Sequence, residues 1–298
     1  MFRWARCIRQ GIALLFVAAM ICSQAGCRGH VEVGQGQGRI KVNDIDVTYR
    51  VYGDGYPIFL IMGYGSTMNL WESGLLRQLA TRFKVITFDN RGMGETTAGN
   101  QTFSIEQFAD HTAGLMAALG LSRAHVLGWS MGSMVAQELA LRHPTKVNKL
   151  ILYAGHSDSR MFPPAPDVIQ RMTDTSGSPQ ERGMRYISVL FPGSWLRDNG
   201  ERIKEIFFRP MGESPQETLD KQAMAIDRWK GSSERLGEIR NPTLVIAGTE
   251  DVLVIPKNAI YMKDRIPGAQ LALMESGGHG LMFQDPAWFS KSLTDFLE

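Results

Sequence analysis

Cysteine is almost absent from this chain: the 298 residues include only Cys7, Cys22 and Cys27, all ahead of the first strand pattern. The rest of the sequence therefore supplies no disulfide, no thiol nucleophile and no cysteine-rich zinc site. Histidine is sparse as well, with six residues and no His-x-x-x-His spacing, and the carboxylates are too scattered for a compact metal site. The first strand-to-helix turn lacks the G-x-G-x-x-G pattern of dinucleotide binding. Charge of one sign is missing too: 32 basic residues face 30 acidic ones, so no basic surface for nucleic acid is expected. There is no internal repeat and no long linker between 39 and 298. A hydrophobic fraction of 44% with 21% charged residues is that of a soluble globular chain, one domain with an insertion.

The N-terminus differs in kind. Arg3, Arg6 and Arg9 precede an apolar run from Ile12 to Cys22, which is too short to cross a bilayer comfortably and reads as an export signal over 1–26. Without those arginines the balance is 29 basic against 30 acidic residues. Ala25-Gly26-Cys27 resembles the end of a bacterial lipoprotein signal, which would make Cys27 the lipidated, membrane-anchoring first residue; Gln24 departs from that pattern. Cleavage after Ala25 competes, and would leave a periplasmic or secreted protein. Residues 27–38, rich in glycine and glutamine, read as a flexible tether.

Beyond the tether, Arg39–Val42 and Ile45–Tyr52 alternate apolar and polar residues around Asn43-Asp44, as a two-stranded antiparallel opening would. Short apolar runs follow at 57–62, 83–88, 125–127, 149–153, 243–247 and 270–274, separated by helical spacing at 70–81, 104–119, 133–142, 257–264 and 288–297. Strands buried on both faces and joined by helices make a mostly parallel α/β sheet. Ser104 and Gln107 are spaced as a capping box. From 156 to 237 the pattern changes to prolines and short amphipathic segments carrying Met172, Met184, Phe191, Trp195, Phe207, Phe208, Met224 and Trp229. This is expected to be a helical lid, with a minority of those residues facing a ligand.

Gly128-Trp129-Ser130-Met131-Gly132 joins a strand directly to a helix. Small residues at 128 and 132 permit a sharp turn with Ser130 at its apex. A serine hydroxyl near neutral pH needs a base, and the base needs an acid to orient it. Asp251 and His279 each follow a strand whose carboxyl end lies on the same sheet edge as Ser130. Glu250 could serve instead of Asp251. His30, His125 and His143 fall in tether, strand and helix stop; His111 is expected on a helix surface, and His156 could line a pocket.

The order Ser130, Asp251, His279, with the elbow, resembles the α/β-hydrolase superfamily over nearly all of 39–298. Asp89-Asn90-Arg91-Gly92-Met93-Gly94 is similar to that family's D-x-R-G-x-G turn, and Met62-Gly63-Tyr64-Gly65 stands where it usually has His-Gly-x-x. The resemblance implies an eight-stranded sheet with the lid inserted before the strand preceding the acid. It also implies Ser130 as nucleophile, His279 as base, Asp251 as acid, and the Tyr64 and Met131 amides as oxyanion hole. Trp129 and Tyr64 are the substrate-binding candidates. The expected activity is cofactor-free hydrolysis of an ester or related acyl bond in a small, partly apolar substrate. Perhydrolase or haloperoxidase-like chemistry, carbon-carbon bond hydrolysis and non-catalytic small-ligand binding remain alternatives; haloalkane dehalogenation is disfavoured, since it uses Asp at the elbow. The oligomeric state is open.

Overall fold

The computed structural model describes residues 36–207, 212 and 214–298; the export signal, most of the tether and Cys27 with its expected lipidation lie outside the described residues. Strands β1 (Gly36–Val42), β2 (Ile45–Tyr52), β3 (Tyr56–Ile61), β4 (Phe83–Phe88), β5 (Ala124–Trp129), β6 (Val147–Tyr153), β7 (Thr243–Gly248) and β8 (Gln270–Met274) form one eight-stranded sheet in the order β1-β2-β4-β3-β5-β6-β7-β8. The β1–β2 and β2–β4 pairs are antiparallel and the others parallel. The first strand begins earlier than expected: Gly36, Gln37 and Gly38, read as tether, pair with Val51, Arg50 and Tyr49. Ladder bonds are made by the backbone, so low hydrophobicity did not prevent pairing, and Gly38 lies under Tyr49, whose ring would be 2.4 Å from any Cβ there.

The parallel strands are buried on both faces, and alternate residues feed two cores. Ile58 and Leu60 of β3, Leu127 of β5 and Leu244 and Ile246 of β7 join α1 (Ser73–Ala80) and α11 (Pro286–Leu297) on one side. Phe59, Ile61, Val126, Val245 and Ala247 join α2 (Ile105–Ala118), α3 (Met131–Arg142) and α9 (Lys257–Arg265) on the other. Each of the larger side chains among them contributes roughly 1.5–3 kcal/mol on burial, so a register slip would cost both faces at once. Helix ends are closed locally. The Ser104 hydroxyl accepts the Gln107 N–H at 3.1 Å, but the reciprocal half of the expected box is missing: the Gln107 amide nitrogen donates to Gln101, and its oxygen takes no hydrogen bond among the described residues. At the end of α11, Lys149 Nζ donates to the Phe296 and Leu297 carbonyls at 2.8 and 3.0 Å.

The chain leaves β3 toward β4 on one side and reaches β5 on the other, so a crevice opens at the carboxyl ends of β3 and β5. Among the described residues, five α-helices lie between β6 and β7: α4 (Pro166–Thr173), α5 (Pro179–Leu190), α6 (Gly193–Asp198), α7 (Gly200–Phe207) and α8 (Gln216–Arg228). After β8 a short α10 (Leu281–Gln284) precedes α11. Among the described residues no helix is long and apolar enough to cross a membrane.

His111 is not a surface residue. It is 5% exposed, with Nε2 3.1 Å from Arg91 Nη1, and Arg91 in turn binds Asp44. Burial lowers the pKa values of His111, His125 and His156 from 6.5 to about 4. Between those values the unfolded chain binds more protons, so stability contributed by the neutral rings is lost as pH falls below 6.5. Burial raises Asp89 from 3.8 to about 6, which acts oppositely and offsets about one of the three histidines. Thermal melts should therefore show Tm falling by several degrees from pH 7 to pH 5; a flat profile would contradict the burial of the neutral rings.

Candidate active site

The carboxyl end of β5 runs into α3 through a backbone that tolerates no side chain two residues to either side of Ser130. A Cβ at Gly128 would lie 2.1 Å from the Gly132 carbonyl oxygen, and one at Gly132 would lie 2.1 Å from that of Ile61. The close approach forces Ser130 to φ 57 and ψ −118, a left-handed conformation that a non-glycine residue rarely holds. Its N–H is fixed to the Tyr153 carbonyl at 2.9 Å, and its side chain makes no capping bond to the following helix. The helix therefore begins with donors that Ser130 does not occupy, and its positive end faces the crevice.

Two loops meet there. The turn after β7 buries Asp251, whose Oδ1 accepts the Leu253 and Val254 N–H groups at 2.9 and 2.8 Å. Its Oδ2 lies 2.9 Å from His279 Nδ1, and both side chains are sealed, 0% and 2% exposed. This leaves Nε2 as the free ring nitrogen of His279. Glu250, the alternative acid, is exposed. The His279 carbonyl accepts the Tyr153 hydroxyl at 2.7 Å and the Trp129 indole at 3.2 Å. The loop is thereby anchored to β5 and β6.

Ser130, His279, Tyr64, Met131 and Trp129 all line one cavity, of about 1090 Å³ with its mouth included. No Asp, Glu, Lys or Arg lines it among the described residues. Of the apolar residues expected in the lid, Met172 and Phe207 reach the cavity, whereas Met184 is exposed and Phe191 stacks on Trp195 at 4.8 Å. Gly63 sits below Ser130, with its virtual Cβ 3.8 Å from Oγ, so the chain carrying Tyr64 passes close to the hydroxyl. Burial raises the Tyr64 phenol above its usual range and Tyr186 to about 12, so both are neutral. Among the described residues no group of three or more His, Cys, Asp or Glu is arranged to hold a metal.

A protein from Caulobacter segnis, provisionally named carbamate hydrolase RutD, is 30% identical to the chain over 268 residues, covering 85% of this chain and 96% of its own length. Residues 56–192 match the model of the alpha/beta hydrolase fold family. The chain belongs to the alpha/beta hydrolase family. The same fold recurs in a hydrolase from Pseudomonas aeruginosa PA01, with TM-score 0.76 and 24% identity over 88% of this chain and 98% of that one. It recurs in the enol-lactonase from Burkholderia xenovorans LB400, with TM-score 0.75 and 23% identity over 87% and 99% of the two chains.

Within this hydrolase fold the D-x-R-G-x-G segment is structural: Asp89 accepts the Met68 N–H at 2.7 Å, Asn90 donates to the Met62 carbonyl at 3.0 Å, and Arg91 holds Asp44. Three polar residues tie the site to the inserted helices and were not picked out from the sequence. Gln222 of α8 accepts the Gly65 N–H at 2.9 Å, Gln137 of α3 accepts the Ser232 hydroxyl at 2.6 Å, and Glu138 accepts the Trp229 indole at 2.8 Å. The signal for the last two was faint: α3 is buried from Met131 to Ala140, and polar residues in such a helix must find partners.

Replacing Gly132 by Ala should cost more than about 3 kcal/mol or prevent soluble expression, because both clashing groups are backbone. Gly237→Ala, where a Cβ meets nothing within 4 Å, is the control and should change stability by less than about 0.5 kcal/mol. Chemical denaturation of both variants measures the difference; similar values would contradict the close approach.

Proposed function

We propose that the protein is a serine hydrolase acting on an ester or related acyl bond of a neutral, largely apolar substrate. The observation that carries this reading is the buried His279–Asp251 pair opening onto the same cavity as Ser130, itself held in a left-handed conformation. In the proposed mechanism the Ser130 Oγ attacks the carbonyl carbon while His279 Nε2 takes its proton. Asp251 holds the ring and stabilises the imidazolium. The tetrahedral oxyanion sits between the Tyr64 and Met131 N–H groups, where the α3 N-terminus adds favourable field. Collapse breaks the bond to the leaving group, which receives the proton from His279. Water then attacks the acyl-enzyme, with His279 as base, and releases the acid and Ser130.

The uncharged lining supports neutral substrates. A carbamate ester fits the same chemistry as a carboxylic ester, whereas a small carbamate anion would find no cationic partner among the described lining residues. In this reading the described helices between β6 and β7 form the lid, contributing Met172, Tyr186, Leu190 and Phe207 to the wall.

Exposure to a fluorophosphonate should add one phosphonyl group to the parent protein and none to Ser130→Ala, as intact mass reports. A folded parent that gains no adduct, and turns over none of a short-to-long series of p-nitrophenyl esters, would point instead to a ligand-binding protein. Asp251→Asn should retain the fold and lower kcat by roughly 10³–10⁴ through loss of the correct histidine tautomer. A loss below about tenfold would remove Asp251 from the mechanism.

A further inference from the structure

The proposed chemistry leaves one buried histidine of the cavity unused. His156 follows β6, is 6% exposed and lines the same cavity as Ser130 and His279. Its backbone and its neighbouring ring are both held by hydrogen bonds. The Gln137 amide donates to its carbonyl at 3.1 Å, and its ring lies against Trp229 with centroids 6.1 Å apart. Trp229 is itself fixed by Glu138. The preceding Gly155 abuts the serine turn, its virtual Cβ 3.7 Å from the Ser130 carbonyl oxygen.

Among the described residues nothing uses this ring as a hydrogen-bonding group. Nδ1 is sealed from solvent without a partner, and it is the only His156 ring nitrogen so enclosed. A neutral imidazole carries one donor and one acceptor, and burial lowers its pKa to about 4, so it is neutral at pH 7. Orphaned buried N–H donors are rarer than under-satisfied acceptors. The proton therefore belongs on Nε2, the nitrogen left to the cavity, and Nδ1 is the idle acceptor. A phenylalanine would pack on Trp229 equally well without the desolvation, so the donor is the feature that the packing does not account for.

We propose that His156 is a specificity-determining residue whose Nε2–H donates to an acceptor oxygen in the substrate, away from the bond that is cleaved. The substrate class is then an acyl compound with an apolar body interrupted by a keto, ether or second ester oxygen. The proposal rests on the cavity being the substrate site, but not on the chemistry performed there.

Binding can be read without turnover in full-length Ser130→Ala by calorimetry with methyl octanoate and its oxo-substituted analogues, the ketone moved along the chain. Water holds the ketone more strongly than a methylene, so a cavity without a donor would bind every oxo-ester more weakly. At least one analogue should bind roughly tenfold tighter than methyl octanoate. Adding His156→Phe should bring that ratio to one or below, and His156→Gln, which keeps a donor, should restore part of it. No preference for any oxo-ester, a preference that survives His156→Phe, or equal loss of both ligand types in both variants would overturn the assignment. Nitrogen-15 shifts of the parent provide a check independent of the variants: the Nε2–H tautomer is expected, and Nδ1–H would overturn it. Turnover of methyl octanoate by the parent tests the hydrolase reading separately. Its absence with the binding preference intact would reject the chemistry and leave the role of His156 standing.

Discussion

The backbone contact between β5 and α3 is the constraint on which the site depends. With no room for a Cβ at Gly128 or Gly132, the strand reverses into the helix within a single residue, and that residue is driven to positive φ. The strain is held by the sheet: Ser130 N–H bonds to Tyr153 on the neighbouring strand, and Gly132 rests on the end of β3. The ends of β5 and β6 then fix the histidine. Trp129 and Tyr153 stack 5.7 Å apart, and both donate to one acceptor, the His279 carbonyl. A residue from the last loop is thus located by neighbours of Ser130, independently of the Asp251 bond to its ring. Preorganisation of this kind requires no reorganisation during the reaction, which is what makes fixed donors effective.

Electrostatically the arrangement separates charge from cavity. Asp251 is enclosed, with one oxygen saturated by two backbone N–H groups and the other directed at His279, so its negative charge is delivered only through the imidazole. The described cavity wall presents hydroxyls, amides, aromatic faces and thioethers but no side-chain charge. In such a low-dielectric space the oxyanion–imidazolium pair of the proposed mechanism would interact more strongly than it would in water. Methionine at 131, 134 and 172 adds a polarizable wall able to fit more than one shape.

Much of the fold was legible because its driving pattern is local. A strand buried on both faces is a continuous apolar run, and β3, β4, β5 and β7 all carry one; a helix closed by serine or proline announces its ends. The closeness of His279 and Asp251 was legible for a related reason, since strand ends in a parallel sheet share an edge. What could not be read was long-range polar pairing. His111 looked like a surface residue because Arg91 and Asp44, which bury it, lie far away along the chain. The half-formed capping box leaves the Gln107 oxygen without a described partner while its amide nitrogen turns to Gln101, a pairing that the spacing does not announce. Gln222 gave no sign at all, as its partner is a backbone N–H 157 residues distant.

That last bond links access to chemistry. Gly65 follows Tyr64 on the loop after β3, and its N–H is held by Gln222 of α8 while its carbonyl accepts the Ser214 hydroxyl at 3.2 Å. Both partners belong to the segment inserted between β6 and β7. In the proposed mechanism the Tyr64 amide must point at a developing oxyanion, and a displacement of a few tenths of an ångström weakens such a donor. Movement of α8 away from the cavity would break the Gly65 bonds first and so loosen the loop that carries this donor. In that mechanism the inserted helices would help set the oxyanion geometry as well as form the cavity wall, and substitutions in α8 should be read with both roles in mind.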